Sequence, residues 1–387
     1  MLLLTRKTFY TILLLVAIVL GCTHQPRKAF TELLPSFATD SIYLSPGNEF
    51  TDAKATLGRY LFYDRRLSVN GTKACASCHA QEFSFTDNYT RSIGALGDLH
   101  QRNARPLINI VFNKFLTAAD SSIHFPELQS SNPLFNTHPV ELGLAGRELQ
   151  MLELFEKDKF YSSQFKKAFP GETKPFTITN MQYALADFVK TVISFNSPYD
   201  NYTFRKQDAA LDSNVKNGMR LFFSDRLHCS ACHGGINFNT PQLKDSSGKL
   251  LYYFNTGLYN IDSIRGSYPA YDQGLMEYTH NAKDMGKYRV PTLRNLTFTA
   301  PYYHDGSAAS LAEVVSNYEA GGRTITTGAY AGDGKKNRYK HPFIEGFKLN
   351  LQEREDLIRF LLSLSDSSLL KNQAYANPFA GKEAGEK

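Results

Sequence analysis

The stretch Cys75-Ala76-Ser77-Cys78-His79 recurs later in the chain as Cys229-Ser230-Ala231-Cys232-His233. Both stretches have the pattern C-x-x-C-H, which is typical of covalent haem attachment in c-type cytochromes. In such a site two thiols form thioethers with the vinyl groups of one porphyrin, and the histidine ligates the iron from the proximal side. These stretches, called here the first motif and the second motif, predict two covalently bound c-type haems.

Two alternatives exist for the cysteine pairs. One zinc ion could bind all four thiols, and thioredoxin-like redox motifs also carry two cysteines separated by two residues. The histidine directly after each pair counts against both alternatives. The lack of a βαβ pattern counts further against a thioredoxin-like site.

The residues that precede the motifs are also alike. Gly58–Leu67 reads GRYLFYDRRL, and Gly218–Leu227 reads GMRLFFSDRL. The offset between the motifs is about one domain length, which indicates two related haem domains in tandem. Gly58 and Gly218 fit the first helix of a cytochrome c domain, where a small residue lets another helix cross closely.

The hydrophobic pattern predicts a mainly α fold: two tandem cytochrome c-like haem domains with long connecting loops. Apolar residues recur at helical spacing over residues 149–155, 160–169, 178–195, 311–318 and 351–364, and no stretch sustains the alternation of a large sheet. We expect the last of these helices to close the second domain by packing across its first helix. The predicted domains are residues 51–205 and 206–366, followed by a flexible tail over 367–387.

Composition limits the classes of protein to consider. The chain has 387 residues, of which 42% are hydrophobic and 21% charged, enough for two folded domains. Its five cysteines are too few for a disulfide scaffold, and its net charge of +6 is too modest to indicate nucleic-acid binding. The chain has 28 Phe and 22 Tyr but no Trp.

The N-terminus predicts export. Arg6 and Lys7 precede an apolar run, Phe9–Leu20, that is shorter than the roughly 20 residues of a membrane-spanning helix. We interpret residues 1–21 as a signal peptide. Val19-Leu20-Gly21-Cys22 resembles the bacterial lipoprotein box, so Cys22 is the expected lipid anchor and residues 22–50 the tether. An ordinary secreted protein with a spare Cys22 thiol is the alternative.

Beyond the motifs, four further blocks make the chain resemble the bacterial di-haem cytochrome c peroxidase and MauG superfamily over about residues 51–366. Asn132–Glu148 further resembles the MbnH-like branch, which includes a MauG-like enzyme that oxidises a partner protein. The four blocks are Arg102-Asn103 with Pro106 and Asn109, Pro139–Gly143 (PVELG), Val290–Asn295 (VPTLRN) and Thr299–Gly306 (TAPYYHDG).

The resemblance implies roles at the N-terminal, peroxide-binding haem. His79 is its expected proximal ligand and Glu141 its distal acid/base, which moves a proton between the peroxide oxygens. A distal glutamine of the family has only a loose counterpart here, Gln129, or none. Family peroxidases often hold a distal histidine in the resting state; His100 is the nearest candidate, and the alternative is an open site that needs no reductive activation.

The resemblance also implies roles at the C-terminal, electron-transferring haem. His233 is its expected proximal ligand, and Tyr318 falls where the sixth ligand is expected. A methionine ligand would be typical of the peroxidases and a tyrosine of MauG. Met285 and Met276 are the competing ligands, and Tyr318 could instead pack a helix face; Met219 is expected in the core.

Two further family features concern the region between the haems. A calcium ion is expected there, with Asn103, Thr299 and Pro301 at the matching positions, although Asn103 could simply cap a turn. The family often has a tryptophan relay, but Asn113–Asp120 contains none. Phe112 and Phe115 are hard to oxidise, so the relay stays unassigned.

The expected function is reduction of hydrogen peroxide to water in the periplasm. The electrons would come from a periplasmic donor, either a cytochrome c or a copper protein. The alternative is a MauG-like enzyme that oxidises side chains of a partner protein, and a non-enzymatic di-haem electron carrier is the weakest reading. We expect contact with the membrane through the lipid anchor only.

Overall fold

The computed structural model describes residues 30–40, 42–261 and 268–380, and these residues are mainly α-helical. None of their helices is long and apolar enough to cross a membrane. The helices are α1 (Asp52–Tyr63), α2 (Pro126–Gln129), α3 (Ser131–Phe135), α4 (Glu148–Lys157), α5 (Lys159–Ala168), α6 (Ile178–Lys190), α7 (Pro198–Thr203), α8 (Ser213–Phe222), α9 (Cys229–Cys232), α10 (Met276–Thr279), α11 (Leu311–Ala320) and α12 (Leu351–Leu362). The strands are β1 (Tyr253–Phe254), β2 (Tyr288–Arg289), β3 (Thr324–Ile325) and β4 (Gly332–Asp333), paired antiparallel as β1–β2 and β3–β4.

Two helix crossings organise the fold, and each depends on a glycine. Helix α1 packs against α6, and α8 packs against α12. A Cβ atom on Gly58 would lie 1.9 Å from the carbonyl oxygen of Ala184, and one on Gly218 would lie 1.9 Å from that of Asp356. The close crossing predicted for both glycines is confirmed, as is the packing of the last long helix across α8.

Each crossing lies in its own hydrophobic core. The first core includes Leu57, Leu61 and Phe188. The second includes Phe222 and Phe360. Burial of each such side chain stabilises the fold by about 1.5–3 kcal/mol. The predicted boundary between residues 205 and 206 stays a prediction.

The predicted tether is shorter than expected. Residues 30–33 and 36–38 form short 3₁₀ turns, and Phe30, Leu34 and Phe50 are buried in a cluster with Val111 and Phe195. These apolar side chains leave water by packing on the folded body. Residues 22–29 of the predicted tether lie outside the described residues.

The predicted flexible tail is also wrong for residues 367–380. Residues 367–371 form a 3₁₀ turn, and Leu369 is buried in the first core. The side-chain amide of Gln81 donates to the carbonyls of Leu369 and Asn372, at 2.8 and 2.9 Å. The tail thus returns to the first core, a contact that its polar, alanine-rich composition does not reveal.

The helix predicted over 178–195 ends at Lys190. The following residues leave the helix because their backbone groups bond elsewhere. The amide of Ser194 donates to Oδ1 of Asn109 at 2.8 Å, and the amide of Asn109 donates to the carbonyl of Val192 at 2.9 Å. Tertiary hydrogen bonds here replace the helical ones.

Candidate haem sites

Each motif folds as a single helical turn that gathers its functional side chains. The amide of His79 donates to the carbonyl of Cys75 at 3.0 Å, and that of His233 donates to Cys229 at 2.9 Å. This turn brings each histidine beside its two thiols. Within the described parts of the chain, no three His, Cys, Asp or Glu side chains are grouped to hold a metal ion.

The same contact orients the histidines of both motifs. Nδ1 of His79 donates to the carbonyl of Phe85 at 2.8 Å, and Nδ1 of His233 donates to that of Phe238 at 3.1 Å. This leaves Nε2 as the nitrogen for iron. Burial lowers the pKa of His79, and it lowers the pKa of His233 to about 4. Both rings are therefore neutral at neutral pH, which is the form that binds a metal.

A cavity of about 370 Å³ opens at the first motif, and Cys75, Cys78 and His79 contribute to its wall. Arg105 and Arg289 line the same cavity. Burial lowers the pKa of both guanidinium groups, that of Arg289 to about 10, and Nη1 of Arg105 is buried without a hydrogen-bond partner.

The unpartnered Nη1 of Arg105, together with the neighbouring Arg289 guanidinium, favours an anion in this cavity. A haem carries two propionate carboxylates, which would supply it. The side chains at the first motif therefore fit a haem in thiol spacing, in histidine orientation and in charge. Sequence reasoning missed Arg105 and Arg289, although an arginine placed directly before an apolar stretch in each of two family blocks is a signal that could have identified them.

Glu141 lies in the wall of this cavity. Burial raises the pKa of its carboxyl to about 7. Oε2 of Glu141 lies 3.9 Å from Nε2 of His100, and that nitrogen is buried without a hydrogen-bond partner. A carboxyl with this pKa can both accept and donate a proton near neutral pH.

Two backbone contacts fix the segment that carries Glu141. The amide of Ala95 donates to the carbonyl of Glu141 at 2.7 Å, and the amide of Val140 donates to Oδ2 of Asp98 at 2.8 Å. Gly94 allows the close approach, since a Cβ atom there would lie 1.9 Å from the carbonyl oxygen of Val140.

Gln129, the loosest of the family correspondences, also reaches the cavity. It ends α2 and lines the wall, and its Oε1 is buried without a hydrogen-bond partner. Glu141, His100 and Gln129 therefore meet at one cavity. Their converging polar groups are suited to bind a small hydrogen-bonding molecule.

At the second motif the structure brings Tyr318 close to the thiols. Burial raises the pKa of this phenol well above its usual value, and neighbouring Tyr303, Cys232 and Cys229 raise it further. Met285 instead packs against a cluster that contains Tyr259 and Tyr268.

The structure also places Met276 and Met219, the other two methionines discussed above. Met276 begins the short helix α10. Met219 packs against the second core, as predicted. The sixth ligand of the second haem stays a prediction, with Tyr318 beside the motif.

The expected calcium residues lie in neighbouring segments. The amide of Asn103 donates to the carbonyl of His304 at 2.7 Å, and Nδ2 of Asn103 donates to the carbonyl of Tyr89 at 2.8 Å. Thr299 and Pro301 belong to the loop that ends at His304, in which the Ala300–Pro301 peptide bond is cis. Their role as ligands stays a prediction, and Cys22 lies outside the described residues.

The two phenylalanines near the missing tryptophan have different surroundings. Phe112 is buried against Phe195. Phe115 contacts the rings of Tyr252 and His124. Neither arrangement assigns a relay to them.

Comparisons with known proteins give a consistent result. Residues 52–209 match the family described as di-haem cytochrome c peroxidase. The chain is 32% identical to a cytochrome-c peroxidase, IdrP1, of Pseudomonas sp. (strain SCT), over 82% of each chain. It is 28% identical to the methylamine utilization protein MauG of Methylophilus methylotrophus, over 91% of this chain and 92% of that one.

The solved structures point the same way. A crystal structure of a MauG-like protein associated with microbial copper homeostasis superposes with a TM-score of 0.83. The two proteins are 38% identical, and the match covers 89% of this chain and 98% of the other.

Proposed function

Because this chain belongs to the di-haem cytochrome c peroxidase and MauG family, we propose that it reduces hydrogen peroxide to water at the haem of the first motif. It is an oxidoreductase of the kind that uses peroxide as electron acceptor. The observation that carries the proposal is the half-buried Glu141 carboxyl, with a pKa raised to about 7, in the cavity beside the first motif. A bound haem would supply the iron that binds peroxide and delivers electrons to it.

The side chains of the cavity supply the proton transfer. As a carboxylate, Glu141 would take a proton from one peroxide oxygen and return it to the other, which would leave as water. His100 and Gln129 have unpartnered buried atoms that can hold the peroxide by hydrogen bonds. The complete reaction consumes two electrons and two protons and forms two molecules of water.

The test replaces the carboxyl. Glu141→Gln keeps the shape of the side chain but cannot exchange a proton, so we expect the reaction with peroxide to slow by roughly 10²–10⁴-fold. In the natural protein the rate should fall as the pH drops below about 7, because the carboxylate that accepts the first proton becomes protonated. Stopped-flow absorption of the haems measures both effects.

Glu153→Gln is the matched control, because Glu153 is exposed on α4 and pairs with Lys157. It should leave the rate and its pH dependence unchanged. If Glu141→Gln reacts with peroxide as fast as the natural protein and its rate still falls below about pH 7, Glu141 has no part in the mechanism.

For electron supply, we propose that the haem of the second motif receives electrons from a periplasmic cytochrome c or copper protein and passes them on. His233 would be its proximal ligand and Tyr318 its sixth ligand. The position of Tyr318 close to Cys229 and Cys232 supports this assignment.

The second candidate function is MauG-like oxidation of a partner protein. Tyr318 beside the second motif favours it, as does the likeness to the MauG-like structure. Mass spectrometry tests this candidate: the enzyme and peroxide should add oxygen to, or remove hydrogen from, an exported protein encoded by a co-transcribed gene. If that protein stays unmodified while a reduced cytochrome c is consumed, the detoxifying peroxidase is the correct function.

Two remaining proposals concern the ion and the location of the protein. Asn103, Thr299 and Pro301 would bind one calcium ion through oxygen atoms. Export to the periplasm, with Cys22 as lipid anchor, would place the enzyme beside its electron donor.

A further inference from the structure

Four tyrosines of the described chain form a continuous series from the interior to the surface. The hydroxyl of Tyr268 donates to that of Tyr288 at 3.2 Å. The ring centroid of Tyr259 lies 5.1 Å from that of Tyr268 and 5.7 Å from that of Tyr330. Tyr288, Tyr268, Tyr259 and Tyr330 are called here the tyrosine relay.

The inner end of the relay lies directly behind the wall of the first haem cavity. Arg102 lines that cavity, and its guanidinium carbon lies 5.7 Å from the centroid of the Tyr288 ring. The ring of Tyr288 also stacks on His304, with ring centroids 3.7 Å apart and planes 16° apart. One arginine side chain therefore separates Tyr288 from the space that the haem would fill.

Two relay hydroxyls have a carboxylate as proton acceptor. Tyr288 donates to Oδ1 of Asp272 at 2.9 Å, and Tyr259 donates to Oδ2 of Asp305 at 2.6 Å. Burial raises the pKa of both phenols, so they stay protonated in the resting protein. A neutral tyrosine loses an electron readily only when its proton can leave at the same time, and these carboxylates provide that exit.

The outer end of the relay meets solvent. Tyr330 and Tyr259 line an open groove together with Arg323 and residues 324–329. Arg323 also pairs with Asp305, the proton acceptor of Tyr259, at 3.1 Å. An external reductant can therefore reach the last tyrosine without entering the haem cavity.

We propose that the tyrosine relay carries single electrons from the surface groove to the peroxide-oxidised haem of the first motif, by a route separate from the one through the second haem. Tyr288 gives one electron to the haem site and its phenolic proton to Asp272, becoming a neutral tyrosyl radical. Tyr268 then gives Tyr288 one electron together with the proton of their hydrogen bond. Tyr259 gives Tyr268 one electron while its own proton moves to Asp305, and Asp272 returns its proton to Tyr288 as Tyr288 passes its hydroxyl proton back to Tyr268. A one-electron reductant at the groove, directly or through Tyr330, then reduces the Tyr259 radical, and Asp305 returns the proton to Tyr259.

The relay rests on the proposed peroxidase function, because peroxide is its oxidant. The test freezes the holoenzyme within milliseconds of adding peroxide and records electron paramagnetic resonance, with tyrosine deuterated to identify its radical. We expect a tyrosyl signal in the natural protein and its loss in Tyr288→Phe. The optical spectrum of the peroxide-oxidised haem should persist longer in Tyr288→Phe and in Tyr268→Phe, because neither can return an electron through the relay.

Tyr161→Phe is the matched control. Tyr161 is also buried, and its hydroxyl also donates to a carboxylate, that of Asp64, at 2.7 Å, but it belongs to the first core and has no contact with the relay. In Tyr161→Phe, the yield of tyrosyl radical and the decay of the peroxide-oxidised haem spectrum should equal those of the natural protein. Unchanged radical yield and decay in both relay variants would overturn the proposal.

A second measurement separates the relay from the peroxidase function. Photogenerated tris(bipyridine)ruthenium(III) oxidises the surface of the holoenzyme without peroxide, and transient absorption follows the tyrosyl radical. Delivery of the oxidising equivalent from the groove to the haems should be lost in Tyr259→Phe. Equal delivery in that variant would overturn the relay, whereas a haem spectrum that does not respond to peroxide would overturn only the proposed function.

Discussion

Single side chains set the chemistry of the first haem cavity. Glu141, His100 and Gln129 come from three separate segments of the chain, and each contributes a polar group to the wall of the same cavity. The unpartnered Nε2 of His100 lies beside the Glu141 carboxyl. A position next to this carboxyl fits a hydrogen-bonding role for His100 better than permanent ligation of the iron.

Tyr318 is the proposed sixth ligand of the second haem. We predict that Tyr318→Phe removes a phenol oxygen from the sixth position of the second haem, so the low-spin signal of the ferric protein should change. Electron paramagnetic resonance and the absorption spectrum of the as-isolated protein measure this. Haem content should stay at two per chain, because the thioether cysteines are unaffected.

Tyr202→Phe serves as the comparison for this substitution, because Tyr202 lies under the Lys216 ammonium, away from the second motif. Its spectrum should match that of the natural protein. An unaltered low-spin signal in Tyr318→Phe would exclude Tyr318 as ligand and favour Met285.

At the scale of elements, the loop after each motif is built in the same way. Isolated bridges pair Ala80 with Thr86 and Gly234 with Thr240. Phe85 and Phe238 have φ values of 62° and 52°, and each turns its carbonyl towards the proximal histidine. This strained conformation is uncommon for a bulky residue, and its recurrence shows that histidine orientation is a property of the element.

The helix crossing at Gly218 is sensitive to the size of the residue at that position. We predict that Gly218→Ala destabilises the protein by about 1–3 kcal/mol or more, because the added methyl would overlap the Asp356 carbonyl and push α8 away from α12. Thermal unfolding followed at the haem absorption bands measures the loss. The band of the second haem should shift first.

Gly47→Ala tests whether any added methyl has this effect. Its Cβ atom would meet only the Tyr183 hydroxyl, at 3.4 Å, which is an ordinary contact. The midpoint temperature of thermal unfolding should therefore stay close to that of the natural protein. Similar midpoints for Gly218→Ala and Gly47→Ala would show that α8 and α12 can separate without cost.

At the scale of the whole molecule, buried amides and the C-terminal segment join the two cores. Nδ2 of Asn295 donates to Oγ of Ser84 at 2.7 Å, which links the VPTLRN block to the loop after the first motif. Nδ2 of Asn109 donates to Oδ1 of Asn237 at 3.2 Å, which links the first block to the loop after the second motif. These paired contacts hold the motif loops in a fixed relation.

The C-terminal segment should stabilise the first core. We predict that Leu369→Ala costs about 2–5 kcal/mol, because Leu369 is only 2% exposed within that core. Unfolding in guanidinium, followed at the first haem, measures the change. Leu362→Ala is the comparison, since Leu362 is 40% exposed, and it should have little effect. Equal losses for the two substitutions would contradict the packing of this segment.

Sequence patterns predicted the parts of the fold and site that depend on neighbouring residues. The helices over 148–157, 159–168, 311–320 and 351–362 match the predicted ones within a few residues, because helical periodicity is local. The tether and tail were predicted incorrectly because their few apolar residues pack on partners that are distant in sequence, such as Phe195 for the N-terminal segment.

The sequence by itself determined the two haem-attachment motifs, the mainly helical class, the repeated helix with its glycine and the family, since each is a pattern of adjacent or regularly spaced residues. Only the tertiary structure decided that Glu141, His100 and Gln129 share a cavity and that Arg105 and Arg289 line the same cavity. It also decided that Tyr288 and Tyr268 are in contact behind Arg102. Such groupings arise from chain crossings, whose contacts and burial no local pattern encodes.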